Sequence, residues 1–572
     1  MNTQPQNADA APAERRRSGP QGTAGKFVVF IGSNWVRTLA HLVVGFILAP
    51  LLLGSFGVVL FGLYMLIGLF TAAMVMPIRT ALQQLFVKTM TEATAEGDER
   101  RIAEVFTNVV AMTWMVGFGF MAVGGILAWL APAIIEFPDH HLINVRVALI
   151  TESMAIGLLI LRTPWLCLFM VEHRVISFNF DVMMLRWLEL LAFGLAMIPL
   201  GLNTFLAFIL FKLVLVAIHC FIRILLGRRL IKAARFRVSL LSRKVARQLA
   251  KTGALSTAQP FSSFAFDVID HYLLNITFGP VFNAIYAVVN ALRSYARRFG
   301  QEASVGGEAI SADMHERGRR DAIVRSLLGI MRLVSGLMLI SSGVVALFFG
   351  PIVDVWLGSR LSEDPELLAI MSYEEAIDLA WIFVLMLLVG GVLMEVSIAG
   401  SRYLYGMGLI GKYSGLLFAA ALCKILIGVS LVVLLLSPWE LSFLPDKGSA
   451  EATLLFPGVT LLCQLLFFGF LFPRRIIKLA RIPFGQYLVQ VWVRPLGAVS
   501  VPLIGGAVFI FFIESWTIWH LALTLIGVGL LFIPMIGWVL LTRNERERLM
   551  GILFRVLGRL RGRRSEPDAE PS

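Results

Sequence analysis

Between Phe27 and Leu541 the chain is a succession of apolar runs, most of them about twenty residues long, separated by short polar or charged joints. A helix rises ~1.5 Å per residue and a hydrocarbon core is ~30 Å thick, so each run is long enough to cross a bilayer. In hydrocarbon every backbone N–H and C=O must find a partner, which leaves only helices or a closed barrel. Barrel strands need about ten residues, so runs of this length are helices. Fourteen can be placed: 27–53, 58–78, 105–130, 147–171, 182–200, 204–226, 252–278, 280–296, 323–349, 377–400, 413–436, 453–472, 495–513 and 519–541. Only 15% of residues are charged and mean hydropathy is +0.80, unlike any soluble domain. The expected fold class is an all-α polytopic membrane protein of about 14 transmembrane helices.

The joint from Gly227 to Lys251 orients the chain. It holds Arg228, Arg229, Lys232, Arg235, Arg237, Arg243, Lys244, Arg247 and Lys251, and no acid. Short loops this basic stay in the cytoplasm. With six spans before the joint and eight after it, both termini are expected to be cytoplasmic. Inner segments then hold 37 of the 50 Lys and Arg, and outer loops hold only Arg146, Arg360 and Lys447. The outer loop 351–378 is acidic. The net charge of +13 is thereby a matter of topology, and no nucleic acid is expected as a partner. Cys167, Cys220, Cys423 and Cys463 fall inside spans, without disulfide or metal spacing. Residues 1–26 read as a disordered cytoplasmic tail with no signal peptide.

The joint also separates two stretches that repeat. Leu53-Gly54-Ser55-Phe56-Gly57, followed by Gly62-Leu63-Tyr64, returns as Phe278-Gly279 followed by Tyr286, each Tyr seven residues after the Gly. Glu96-Gly97-Asp98-Glu99-Arg100-Arg101 returns as the charged loop Glu316-Arg317-Gly318-Arg319-Arg320-Asp321. Six spans per repeat is an even number, so both halves have the same orientation, as in transporters whose bundles rock about a midplane site. The expected domains are an N-lobe (27–226), a basic linker (227–251), a C-lobe (252–472), a further helix pair (473–541) and a basic tail (542–572). In that tail Leu549, Leu553, Val556 and Leu560 share a face among arginines, as in a helix lying on an anionic leaflet.

The hairpin from Leu53 to Tyr64, with the Glu-Gly-Asp-Glu loop at 96–99, resembles the polysaccharide-lipid flippases that export O-antigen and exopolysaccharide repeat units. These belong to the multidrug, oligosaccharidyl-lipid and polysaccharide exporter (MOP) superfamily. The resemblance implies a V-shaped pair of six-helix lobes in a bacterial inner membrane. It also implies a polyprenyl-pyrophosphate glycan as cargo, moved from inner to outer leaflet, with polysaccharide polymerase and glycosyltransferases as further partners. No cofactor is expected; an ion gradient or the membrane potential supplies the drive.

Charges inside spans carry the chemistry, because an ionisable group at the bilayer centre needs a partner or a wet cavity. Arg37 and His41 lie one turn apart, with Asn34 and Ser33 a turn earlier. Arg37, Lys212, Arg332 and Lys424 read as mid-span; with His41 and Asn34 they form a candidate cationic lumen for a pyrophosphate, Arg supplying forked donors and Lys a point charge. Lys212 shares a face with His219. Arg186 pairs with Glu189 by spacing. Glu152 and Arg162 each need a partner elsewhere, and Glu395 reads as reaching water at the inner face. Asp267, Asp270 and His271 share a face of the seventh span and are candidates for ion coupling, or else for a salt bridge to an arginine of another span. Gly406–Lys412 has phosphate-loop spacing, but Tyr413 replaces the Ser or Thr that holds magnesium, so nucleotide binding is not expected. No nucleophile–base constellation is visible, and the chain does not read as an enzyme. Two other readings stand beside the flippase: a drug/ion antiporter of the same superfamily, and a membrane enzyme or scaffold of polysaccharide assembly.

Overall fold

The computed structural model describes residues 20–172, 174–198, 201, 203–245, 247, 257–304, 307–318, 320–437, 449–513, 515–543, 546–547 and 551. The tail before Pro20, Lys251, Lys447 and nearly all of the expected C-terminal amphipathic helix lie outside them. No strand occurs among the described residues.

Helix α1, Pro20–Glu96, takes in both of the first two spans and is broken at Gly57, where φ is 78° and ψ 169°. Only glycine enters that region readily. Its first turns use residues 20–26, which the sequence assigns to the tail. The helix runs on past the expected end of span two to Gly97 (φ 72°). Asp98 then caps α2, Glu99–Ile134, with Oδ1 accepting from Arg100 N and Arg101 N at 2.9 and 3.1 Å. The remaining helices of this half are α3 (Leu142–Leu161), α4 (Thr163–Val171), α5 (Val175–Ala196) and α6 (Thr204–Gly227).

The second half repeats this design. Helix α7, Ala258–Asp267, and α8, Ile269–Phe278, meet at a break at Val268; Gly279 (φ 89°) then turns the chain into α9, Pro280–Ser304. After α10, Gly307–Glu316, Gly318 (φ 65°) precedes α11, Arg320–Leu347. Gly57 and Gly279 are 222 positions apart, and Gly97 and Gly318 are 221 apart, so the repeat is written in backbone conformation as well as in letters. Helices α12 (Tyr373–Gly406) and α13 (Ile410–Leu436) follow. The last spans carry π-helical turns at Leu465–Leu471, Val489–Val493 and Ile536–Leu540.

Ten described helical segments are long and apolar enough to cross a membrane. The difference from fourteen has four local causes. Spans one and two are joined across Gly57. The fifth, α5, carries Asp181, Arg186 and Glu189 within nine residues, the seventh is split at Val268, and the eighth carries Arg293, Arg297, Arg298 and Glu302. Large side chains such as Trp129, Phe511 and Phe512 stand 74%, 89% and 81% exposed, a surface suited to lipid and not to water. The chain is a multi-pass membrane protein.

Apolar packing joins the halves from the end distal to the joint as far as Phe46 and Tyr295, whose rings stack 5.7 Å apart between centroids. One core draws on both halves, from residues 48–67, 128–149 and 192–209 of the first and 273–296 and 348–388 of the second. A second core belongs wholly to residues 258–491, and a third to residues 85–234, including Ile231 and Ala234 of the basic joint. The halves therefore share a core at the end distal to the joint and hold separate cores at the joint end, the arrangement of a V.

Candidate functional site

Between the halves lies a cavity of about 220 Å³. Its apolar walls come from Leu48, Leu52 and Phe61 of α1 and Ala287 and Val288 of α9, and Trp356 adds to them. Its polar lining is His41, Tyr64, Arg186, Glu189, Asn290, Ser294, Tyr295 and Arg298. Arg186 donates from Nη1 to Glu189 Oε2 at 2.7 Å, yet 47% of its side chain remains exposed, so the guanidinium faces open space with donors to spare. Arg298 has no carboxylate within salt-bridge reach among the described residues. His41 Nδ1 is buried without a partner.

Behind this lining stands a closed network. Lys212 Nζ lies 2.5 Å from Glu152 Oε1 and 3.2 Å from Glu189 Oε1, and donates to Tyr64 Oη at 2.8 Å. Tyr64 Oη donates to Glu189 in turn. The second half holds a counterpart around Tyr286, the repeat partner of Tyr64. Tyr286 Oη donates to Asp270 Oδ2 at 3.0 Å, Thr460 donates to the same oxygen at 2.5 Å, and Lys424 Nζ sits 2.9 Å from Asp270 Oδ1. The repeated tyrosine is thus an anchor for one lysine–carboxylate cluster per half.

The six residues read as one lumen do not converge. Only His41 lines the cavity. Lys212 is one layer behind it, and Lys424 is buried inside the second half. Arg332 donates to Gln490 Oε1 at 2.6 Å, tying α11 to the C-terminal spans. Arg37 reaches across the halves, with Nη2 2.7 Å from Glu302 Oε1 and Nη1 donating to Asn179 Oδ1 at 3.0 Å. Asn34 accepts from Asn179 Nδ2 at 2.7 Å, and Ser33 from the same group at 2.8 Å. Nor is Arg37 mid-span. It lies twenty residues before Gly57, about 30 Å along the helix, which places it at the joint-side edge of a hydrocarbon core.

The ion-coupling candidates are engaged as well. Asp267 Oδ1 meets Arg297 Nη1 at 2.5 Å and Arg293 Nη2 at 3.2 Å, the salt bridge to another span that the sequence left as the alternative. His271 lies between Asn283 Oδ1 and Asn290 Nδ2, both at 2.9 Å, and Asn283 Nδ2 donates to Gly62 O of the other half. Glu395, expected to reach water, is instead 2% exposed and 2.6 Å from Arg297 Nη2. Glu152 and Arg162 do find separate partners, Lys212 and Asp181. Asp181 also receives His219 and Arg223, each at 2.9 Å.

Seven acids of the helices of the two halves (Glu152, Asp181, Glu189, Asp267, Asp270, Glu302 and Glu395) therefore each touch a cation. What is left over in the cavity is positive. Arg298 escapes the sequence reading because α9 runs to Ser304, eight residues past the expected end of the span. Arg186 escapes because its i, i+3 acid makes it look spent.

No family model and no curated protein sequence matches the chain. Solved structures do. An inward-facing multidrug resistance MATE family transporter of the MOP superfamily superposes with a TM-score of 0.60 at 11% identity, covering 78% of this chain and 96% of that one. The lipid II flippase MurJ in an inward closed conformation superposes with a TM-score of 0.57 at 12% identity, covering 93% of this chain and 99% of that one. A MOP superfamily transporter from Pyrococcus furiosus, described as having a binding pocket of reversed polarity, gives a TM-score of 0.52 at 12% identity, covering 79% and 96%. The fold is that of the MOP superfamily transporters. A match over 93% of the chain extends beyond the twelve spans of the repeat, so the C-terminal helix pair belongs to it.

Proposed function

We propose that this protein, built on the MOP transporter fold, is a flippase that carries a lipid-linked, pyrophosphate-bearing glycan across a bacterial inner membrane by alternating access, with both termini cytoplasmic. One observation carries the reading: in the cavity between the halves Arg186 and Arg298 present unspent donors, while the acids of the spans are already neutralised. An organic cation would meet a positive pocket there. A pyrophosphate would meet forked donors in a low-dielectric setting, where charge-assisted hydrogen bonds are strong. The apolar walls suit the first units of a lipid tail. The MurJ-like extent of the fold supports the same cargo class.

The test uses purified protein in proteoliposomes with a fluorescent polyprenyl-pyrophosphate glycan in one leaflet. The native protein is expected to move the probe, and Arg298→Ala to slow it about ten- to a hundred-fold, the cost of one charge-assisted hydrogen bond. Movement of ethidium with no movement of the lipid probe would assign the chain to the drug antiporters instead.

Of the ion-coupling candidates Asp267, Asp270 and His271, we propose that Asp270, paired with Lys424, carries the coupling. Removing one partner of a buried ion pair costs roughly 3–5 kcal/mol, so Asp270→Asn alone should lower the amount of folded protein. Asp270→Asn combined with Lys424→Met removes both charges and should restore it. That double variant is expected to transport slowly with a flattened pH profile. Retention of the native profile would make the cluster structural only.

A further inference from the structure

At the distal end the halves meet through a loop from each. The first contributes the 3-10 turn Asp139–His141, set by Pro138, and the second the short helix Pro365–Leu368. His140, His141 and Glu366 bring one donor atom each within 4.8 Å of one another. The two imidazoles are 4.0 Å apart between centroids, and Asn144 Nδ2 lies 3.4 Å from His141 Nδ1. Glu366 is fixed from the other side, its Oε2 accepting from Val59 N at 3.1 Å and its backbone N–H donating to Asp364 Oδ1 at 3.0 Å.

We propose that His140, His141 and Glu366 form a binding site for a divalent transition-metal ion of the zinc class, and that the bound ion ties the two halves together at their distal end. Bonds of ~2.0–2.2 Å to nitrogen and oxygen set tetrahedral ligand atoms about 3.3 Å apart. Closing from 4.8 Å asks only for side-chain rotation, and His140 is exposed and free to make it. Two imidazoles and one carboxylate are the donors of a three-ligand site whose fourth position is open to water. Imidazole selects zinc, nickel or copper over magnesium and calcium, which prefer oxygen alone. With the Asn144 amide turned so that Oδ1 accepts from His141 Nδ1–H, Nε2 is left free for the metal and the ring is held in place, as outer acceptors of metal-bound histidines do. Because the ligands come from both halves, the ion binds only while this end is closed, and it biases the protein toward that state by its difference in affinity. The tie rests on the alternating-access reading; the binding does not.

The test starts with purified full-length protein and zinc chloride in isothermal titration. One ion per chain is expected, with at least about tenfold weaker binding in His140→Ala, His141→Ala and Glu366→Gln and no response to magnesium. His140→Ala removes an exposed side chain, so loss of binding in that variant is not loss of fold. No zinc binding, or binding of native strength in both histidine variants, overturns the site. The tie is read by spin labels at Ile198→Cys and Leu436→Cys. Zinc is expected to narrow their distance distribution to one short population relative to EDTA. An unchanged distribution with zinc bound overturns the tie and leaves the transport reading untouched.

Discussion

Arg37 and Glu302 are 265 positions apart in sequence and 2.7 Å apart in space, with side chains 23% and 11% exposed. Their pairing joins the halves at the end where no apolar core does. Removing one partner forfeits roughly 1.5–3 kcal/mol and leaves the other charge stranded. Arg37→Ala is accordingly expected to abolish most transport in reconstituted vesicles while the protein still inserts. Arg37→Lys keeps the charge without the fork and should impair it partly. The exchange Arg37→Glu with Glu302→Arg should recover a large share of the rate; an exchange no better than the single changes would mean that Arg37 acts on cargo directly. This pairing could not be read from the chain. Spacing rules reach one helical turn, and they found Arg186–Glu189, but the partners of Arg37, Lys212, Arg162 and Lys424 lie 19 to 265 positions away. Only the requirement for a partner was legible, not its identity, and so a set of cations looked like a lumen when most were already satisfied.

At the scale of elements, two glycines carry the repeat. Gly57 and Gly279 adopt φ 78° and 89° with ψ near 180°. Nothing lies within 4 Å of a Cβ built on Gly279, and only carboxylate oxygens at 3.5–3.6 Å approach one on Gly57. The cost of alanine at either position is therefore in the backbone, about 1–3 kcal/mol each. Thermal unfolding in detergent should show Gly57→Ala and Gly279→Ala both destabilised. Gly125→Ala, in helix α2 with open space around it, serves as the control and should be neutral or better. Equal melting of all three would mean that neither break demands glycine. The existence of these elements was legible from run length and from the Phe-Gly to Tyr spacing. Their ends were not. Apolar runs stop where the hydrocarbon stops, whereas helices such as α1 and α9 continue into water on polar residues that hydropathy discounts.

At the scale of the whole molecule, the V is defined by one shared core and two private ones. The proposed orientation rests on the basic joint. A single cysteine at Ser239, exposed beside that joint, should resist an impermeant thiol reagent added outside intact cells, and one at Ser362, exposed in the acidic loop, should react. Labelling at Ser239 in sealed cells would invert the topology. The same V has a mechanical side. A body packed through a wide apolar core at one face of the membrane and joined at the other through the Arg37–Glu302 pair displaces unequal areas of lipid from the two leaflets. In the proposed alternating-access cycle, rocking to the other state would transfer that area from leaflet to leaflet. Each stroke would then work with or against the lateral pressure of the two monolayers, and the return stroke would reverse the sign. Cone-shaped lipids, which relieve or load that pressure unequally, become a setting on the turnover rate without touching a single residue of the transport path.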